Sequence, residues 1–86
     1  MADTEYNGWK NKSTWNVALH VGNVECLYRL AVDYVKSRKR LKRVPSWGGF
    51  TRYAGINNAK TPDGFKFESK LLDREALREM LIEFVE

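Results

Sequence analysis

Between residues 36 and 53 the chain sets seven cations and three aromatic rings close together. Lys36, Arg38, Lys39, Arg40, Lys42 and Arg43 fall within eight consecutive positions that contain no acid, and Trp47, Phe50, Arg52 and Tyr53 follow directly. Cations interleaved with rings suit two kinds of ligand. Single-stranded nucleic acid would find charges for its phosphates and rings on which bases stack. An acidic protein surface would be steered by the same charges and gripped by the same rings. The bland alternative is a solubilising helix end. Trp47 lies in a glycine-containing stretch after the basic run, so an exposed ring is expected there.

The remaining chemistry-bearing residues stand alone. His20 is the only histidine and Cys26 the only cysteine. At helical spacing His20 lines up with Asn16 and lies near Lys12 and Asn23, which reads as a solvated polar face, since no second His, Cys or Asp stands beside it to complete a metal or base pair. Cys26 sits among apolar neighbours and reads as a small buried hydrophobe rather than a nucleophile. A single cysteine excludes an internal disulfide and a structural zinc site of the usual kind. No phosphate-binding glycine loop, dinucleotide fingerprint, His-Glu zinc motif or nucleophile elbow is present. The expectation is a non-enzymatic binding module with no catalytic residue, metal or cofactor.

The elements that must position the basic stretch follow from apolar spacing. Ser13 is the expected N-cap of a first helix, with Trp15, Ala18, Leu19 and Gly22 on one face and Val17 and Val21 on a second apolar edge. Gly22 would close that helix in the left-handed conformation, and Asn23 would cap the next. Val24, Leu27, Tyr28, Ala31, Tyr34 and Val35 recur at three- and four-residue steps, so the second helix is amphipathic; Glu25, Arg29 and Asp33 form its solvated ladder. It runs into the basic stretch ending at Arg43, where cations suit the helix dipole and Pro45 enforces the stop. Ser46 to Gly55 reads as either a loop or a short capped third helix with Phe50, Tyr53 and Ala54 at helical spacing. Thr61-Pro62-Asp63-Gly64 is a turn. Phe65, Phe67 and Leu71 suggest a short extended segment, and Asp73 caps a last helix whose core stripe is Leu77, Met80, Leu81 and Phe84.

Eighty-six residues allow one domain with one modest core, and eleven Trp, Tyr and Phe side chains supply much of its material. The fold class expected is mainly α: a compact orthogonal domain of three or four helices spanning residues 1–86, with at most a short strand or hairpin before the last helix and a flexible tail over residues 1–7. Charge is uneven. The net is +4, yet the segment from Asp73 to Glu86 carries five acids against two arginines. No apolar run approaches the ~20 residues of a membrane span, and the first ten residues lack the apolar centre of a secretory signal, so no membrane partner and a cytoplasmic location are expected.

Tyr6-Asn7-Gly8-Trp9, Asn11, Thr14-Trp15-Asn16-Val17-Ala18-Leu19, Asn23 and Leu27-Tyr28 together resemble the N-terminal signature of a family of small uncharacterised proteins common in bacteriophages and found in some bacteria. The turn at Thr61 to Gly64 and the acidic last helix are similar to that family too. The likeness runs closely over residues 1–28 and loosely over residues 61–86. Similar proteins often carry a Tyr-Glu pair where this chain has Lys12-Ser13, and an aromatic residue at His20. The basic run and Trp47-Gly48-Gly49 look particular to this chain. The resemblance implies a phage-type accessory protein used in host takeover or counter-defence, acting in the host cytoplasm. Two partners follow as expectations: a host protein with an acidic surface, or RNA or DNA, through the same basic and aromatic residues.

Overall fold

Helix α1 (Lys12–Asn23) starts two residues before the point that a Ser13 cap would set. Asn11 takes the cap: its Oδ1 accepts from the Thr14 backbone N–H at 2.9 Å and from the Thr14 hydroxyl at 2.7 Å. Asparagine and serine cap about equally well, so local preference does not decide between them. A tertiary bond does, because the Asn11 amide also donates to the Leu71 carbonyl at 2.7 Å. Thr14 in turn accepts the Asp73 backbone N–H at 3.0 Å, and Asp73 caps the last helix by accepting from Ala76 N–H at 3.3 Å. One polar seam thus joins the N-termini of the first and last helices. The computed structural model in which this is seen describes residues 8–85. The expected flexible tail over residues 1–7, with Tyr6, lies outside the described residues.

That seam sets the rotation of α1. Thr14, Val17, Ala18 and Val21, at i, i+3, i+4 and i+7, are all buried, and Val17 and Val21 are wholly closed to solvent. Each valine contributes about 1.5–3 kcal/mol of burial. The sequence-based face is corrected accordingly: Leu19 is exposed, Trp15 is half-buried, and the apolar edge of Val17 and Val21 is the true core face. Gly22 does not end the helix. It stays helical inside α1, and only Val24 interrupts the path to α2 (Glu25–Arg40), with extended dihedrals and no side-chain cap, so Asn23 does not cap α2. Bonds from Val24 N–H to His20 and from Tyr28 N–H to Val24 carry hydrogen bonding across the break, which removes the need for a glycine stop.

Helix α2 buries Ala31, Tyr34 and Val35 and half-buries Leu27 and Leu30. Tyr28 lies at the edge against Phe84, ring centroids 4.8 Å apart. On the outer side Arg29 and Glu25 pair at 2.6 Å, both about three-quarters exposed, which makes the pair a minor contributor of ~0.3–0.5 kcal/mol. Helix α3 (Trp47–Ala54) resolves the open reading of that stretch in favour of a helix. Ser46 accepts the Gly49 N–H at 3.0 Å, and Gly55 closes the helix at φ +76°. Helix α4 (Arg74–Glu83) buries Leu77 and Leu81, with Met80 and Phe84 packed at the margin.

Between α3 and α4 the chain makes one hairpin-like excursion. Thr61 N–H donates to Phe65, Phe67 N–H donates to Ala59, and a single antiparallel bridge pairs Lys60 with Lys66. Gly64, at φ +93°, closes the expected turn by donating to Thr61 at 2.8 Å. Phe67 and Leu72 enter the core, whereas Leu71, grouped with Phe65 and Phe67 in the expected extended segment, is 64% exposed and lends only its carbonyl to Asn11. The architecture is mainly α, with four helices around one core among the described residues. None of these helices is long and apolar enough to cross a membrane.

Candidate functional site

The basic stretch is divided by the end of α2. Lys36, Arg38, Lys39 and Arg40 belong to the helix, while Lys42 and Arg43 follow it. Lys42 takes the left-handed conformation at φ +58°, the one non-glycine among the described residues to do so. Its N–H donates to the Lys39 carbonyl at 3.0 Å and the Arg43 N–H to the Arg38 carbonyl at 2.9 Å. These two bonds form a Schellman closure, which normally places glycine at this position. Helix α3 ends in the same way, with Gly55 bonded to Arg52 and Ile56 to Thr51. The chain therefore uses glycine for this closure at one helix and a lysine, at about 1 kcal/mol of strain, at the other.

Lys36, Lys39, Arg40, Lys42 and Arg43 are exposed, and no carboxylate among the described residues pairs with any of them. Arg38 is half-buried because its guanidinium lies over the Tyr34 ring, 5.2 Å from the centroid. Their position at a helix C-terminus is electrostatically favourable, so the cluster does not strain α2. Leu41 and Val44 stand among these cations, 60% and 72% exposed. Tyr53 adds a half-exposed ring packed on Tyr34 at 5.5 Å.

Two of the expected surface rings are withdrawn. Trp47 is 1% exposed and Phe50 fully buried, so neither offers a face to a ligand. Once Ser46 starts α3, positions Trp47, Phe50, Thr51 and Ala54 fall on its inner side, and the indole N–H donates to the Phe67 carbonyl at 2.7 Å. Arg52 is separated from the α2 cations by its direction: its Nη1 stands over Gly48 beside Arg74. The structure thus leaves Lys36, Arg38, Lys39, Arg40, Lys42, Arg43 and Tyr53 accessible around the end of α2. Sequence reasoning missed Leu41 and Val44, although their place within and directly after a run of cations with no apolar periodicity was the available signal.

The polar stripe on α1 is also corrected. Asn16 is buried, not solvated, and its Nδ2 donates to Asp63 Oδ2 at 2.7 Å, with His20 Nε2 3.6 Å from the same oxygen. Asn16, first, and then His20 hold the Asp63 carboxyl below the usual carboxylate range. This cluster pins the Thr61–Gly64 turn to α1. Cys26, expected to be buried, is exposed at the start of α2, because the core side of that helix begins at Leu27. No group of three or more His, Cys, Asp or Glu able to hold a metal occurs among the described residues.

With the fold and surface in view, the chain belongs to a family of unknown function, DUF7249, whose model matches residues 2–86. The match takes in the middle of the chain as well as its two ends, so the helical hairpin of α2 and α3 that presents the cations lies within the family's matched region. No curated protein and no solved structure matches the chain.

Proposed function

We propose that the protein is a non-enzymatic accessory module, phage-type in its role, that docks on an acidic surface of a host protein in the cytoplasm through the basic end of α2. The observation that carries this reading is the combination of uncompensated cations with exposed Leu41 and Val44 in their midst. Charges alone would steer many partners; protruding aliphatic groups add affinity only where a partner offers an apolar pocket inside an acidic rim. Lys42 supports the same reading, since a strained cation stands where glycine would be the more stable choice. Inhibition or adaptation of a host enzyme or defence complex is the form such docking takes in host takeover or counter-defence.

The competing reading is RNA or DNA bound by the same cations. It is weakened by the burial of Trp47 and Phe50, which leaves Tyr53 as the exposed ring beside the cluster. Fluorescence anisotropy of labelled single-stranded and duplex oligonucleotides separates the two. Protein docking predicts weak association that disappears at physiological salt. Tight binding that persists there, falls steeply on further salt and vanishes in Lys39→Glu/Arg40→Glu would replace the protein partner with a nucleic acid.

A further inference from the structure

A second charged site lies between the start of α3 and the start of α4, apart from the docking surface. Gly48, in the first turn of α3, forms its floor. A Cβ at this position would stand 3.5 Å from Arg74 Nη1, 3.8 Å from Arg52 Nη1 and 3.3 Å from Glu68 Oε2. Two guanidinium groups from different helices therefore converge over one glycine. Arg78, one turn after Arg74, completes the wall of an open cleft of about 520 Å³, and Glu75 lies at its rim. That volume is within the ~300–1,000 Å³ usual for small-ligand sites.

The donors of this cleft are unevenly used. Glu68 is engaged twice, by the Arg74 guanidinium and by the Thr51 hydroxyl at 2.9 Å. Arg52 and Arg78 pair with no carboxylate among the described residues. At the floor, Ser46 satisfies the Gly49 N–H, while the N–H groups of Trp47 and Gly48, the first two of α3, have no helical acceptor. With no side chain on Gly48, half-buried where Trp47 is closed, the cleft reaches the backbone at this position.

We propose that this cleft binds a phosphate monoester. Arg52 and Arg78 clamp its oxygens from the sides, and the Gly48 amide binds it from below. A monoester carries about −1.5 to −2 charges at neutral pH and presents three acceptor oxygens, which matches two uncommitted guanidinium forks. A carboxylate ligand fits less well, since it brings one charge and two oxygens to two guanidinium forks.

The test is a titration of the ¹⁵N-labelled chain with inorganic phosphate, with adenosine 5′-monophosphate and with adenosine, at constant ionic strength set by chloride. The Gly48 amide resonance shifts saturably with the two phosphates and not with adenosine. Stronger binding of the nucleotide than of phosphate makes the natural source a small phosphorylated metabolite, and equal binding makes it the free anion. Arg52→Gln/Arg78→Gln weakens binding about tenfold or more, each lost contact being a charge-assisted bond. Glu68→Gln, which keeps a hydrogen-bond acceptor for Thr51 and removes the competing charge, tightens it. Far-UV circular dichroism of each variant separates lost binding from lost folding. A Gly48 amide that does not move with either phosphate, or shifts that are undiminished in a folded Arg52→Gln/Arg78→Gln chain, overturn the proposal.

Discussion

Replacing Gly49 by alanine tests how the basic end of α2 is held against α3. The methyl would overlap the Tyr34 hydroxyl oxygen and stand 3.0 Å from Ser46 Oγ and 3.2 Å from Tyr34 Cζ. Tyr34 cannot retreat easily: it is 2% exposed, its ring packs on Phe50 and Tyr53, and its oxygen accepts the Ser46 N–H at 3.1 Å. Overpacking of this kind costs about 1–3 kcal/mol. About 1 kcal/mol returns because alanine is the better helix former, leaving a net loss of up to about 2 kcal/mol. Tyr34→Phe alone forfeits one hydrogen bond, about 0.5–1.5 kcal/mol. In Tyr34→Phe/Gly49→Ala the overlapping oxygen is gone, so most of the overpacking is relieved and the two changes couple by about 1–3 kcal/mol. Urea unfolding of the four proteins measures this directly. Additivity within ~0.5 kcal/mol would refute the claim that the glycine exists to admit the tyrosine hydroxyl.

Three further outcomes follow from the geometry. Thr14→Val keeps the shape but leaves the Asp73 N–H without its acceptor and removes one of the two donors to Asn11 Oδ1, so it lowers stability by about 1–3 kcal/mol, while Thr14→Ser loses clearly less in the same urea assay. Lys42→Gly relieves the left-handed strain and raises the unfolding midpoint by about 0.5–1 kcal/mol equivalent, although it removes one docking cation. Asp63 has its carboxyl pKa lowered from 3.8 by Asn16 and His20, so its contribution is complete above that pH and lost as pH falls below it through the folded value. Unfolding midpoints on either side of pH 3.8 therefore show an acid-sensitive increment in the native chain that Asp63→Asn lacks.

What could be read from the sequence was whatever local chemistry decides. Ser46, Gly55 and Asp73 are found where capping preference puts them, and Leu77 and Leu81 are buried as their spacing requires. The rotation of α1 was not legible, because Trp15, Ala18 and Leu19 make as good an apolar face as Val17, Ala18 and Val21. The choice falls to Thr14 and Asp73, partners 59 residues apart. Asn16 looked solvated for the same reason: its acceptor, Asp63, lies 47 residues away in a turn. In the candidate docking surface the cations were legible as a run without acids. Trp47 and Phe50 were misplaced because a glycine pair suggested a loop, whereas Gly49 serves close helix packing and Gly48 opens the cleft above α3. Arg52, Arg74 and Arg78 could not be grouped from spacing, since the hairpin excursion that brings their helices together has no periodicity of its own.

The central claim is that α2 ends in a protein-docking surface, and a photo-crosslinking amino acid in place of Leu41 tests it most directly. Illuminated in host lysate, with nuclease added and adducts identified by mass spectrometry, the chain should yield one predominant protein adduct. That adduct should bear the crosslink within an acid-rich surface and disappear when Lys39→Glu/Arg40→Glu is combined with the label. An adduct that survives charge reversal, crosslinks spread over many unrelated proteins, or label recovered on nucleic acid when nuclease is omitted would contradict it.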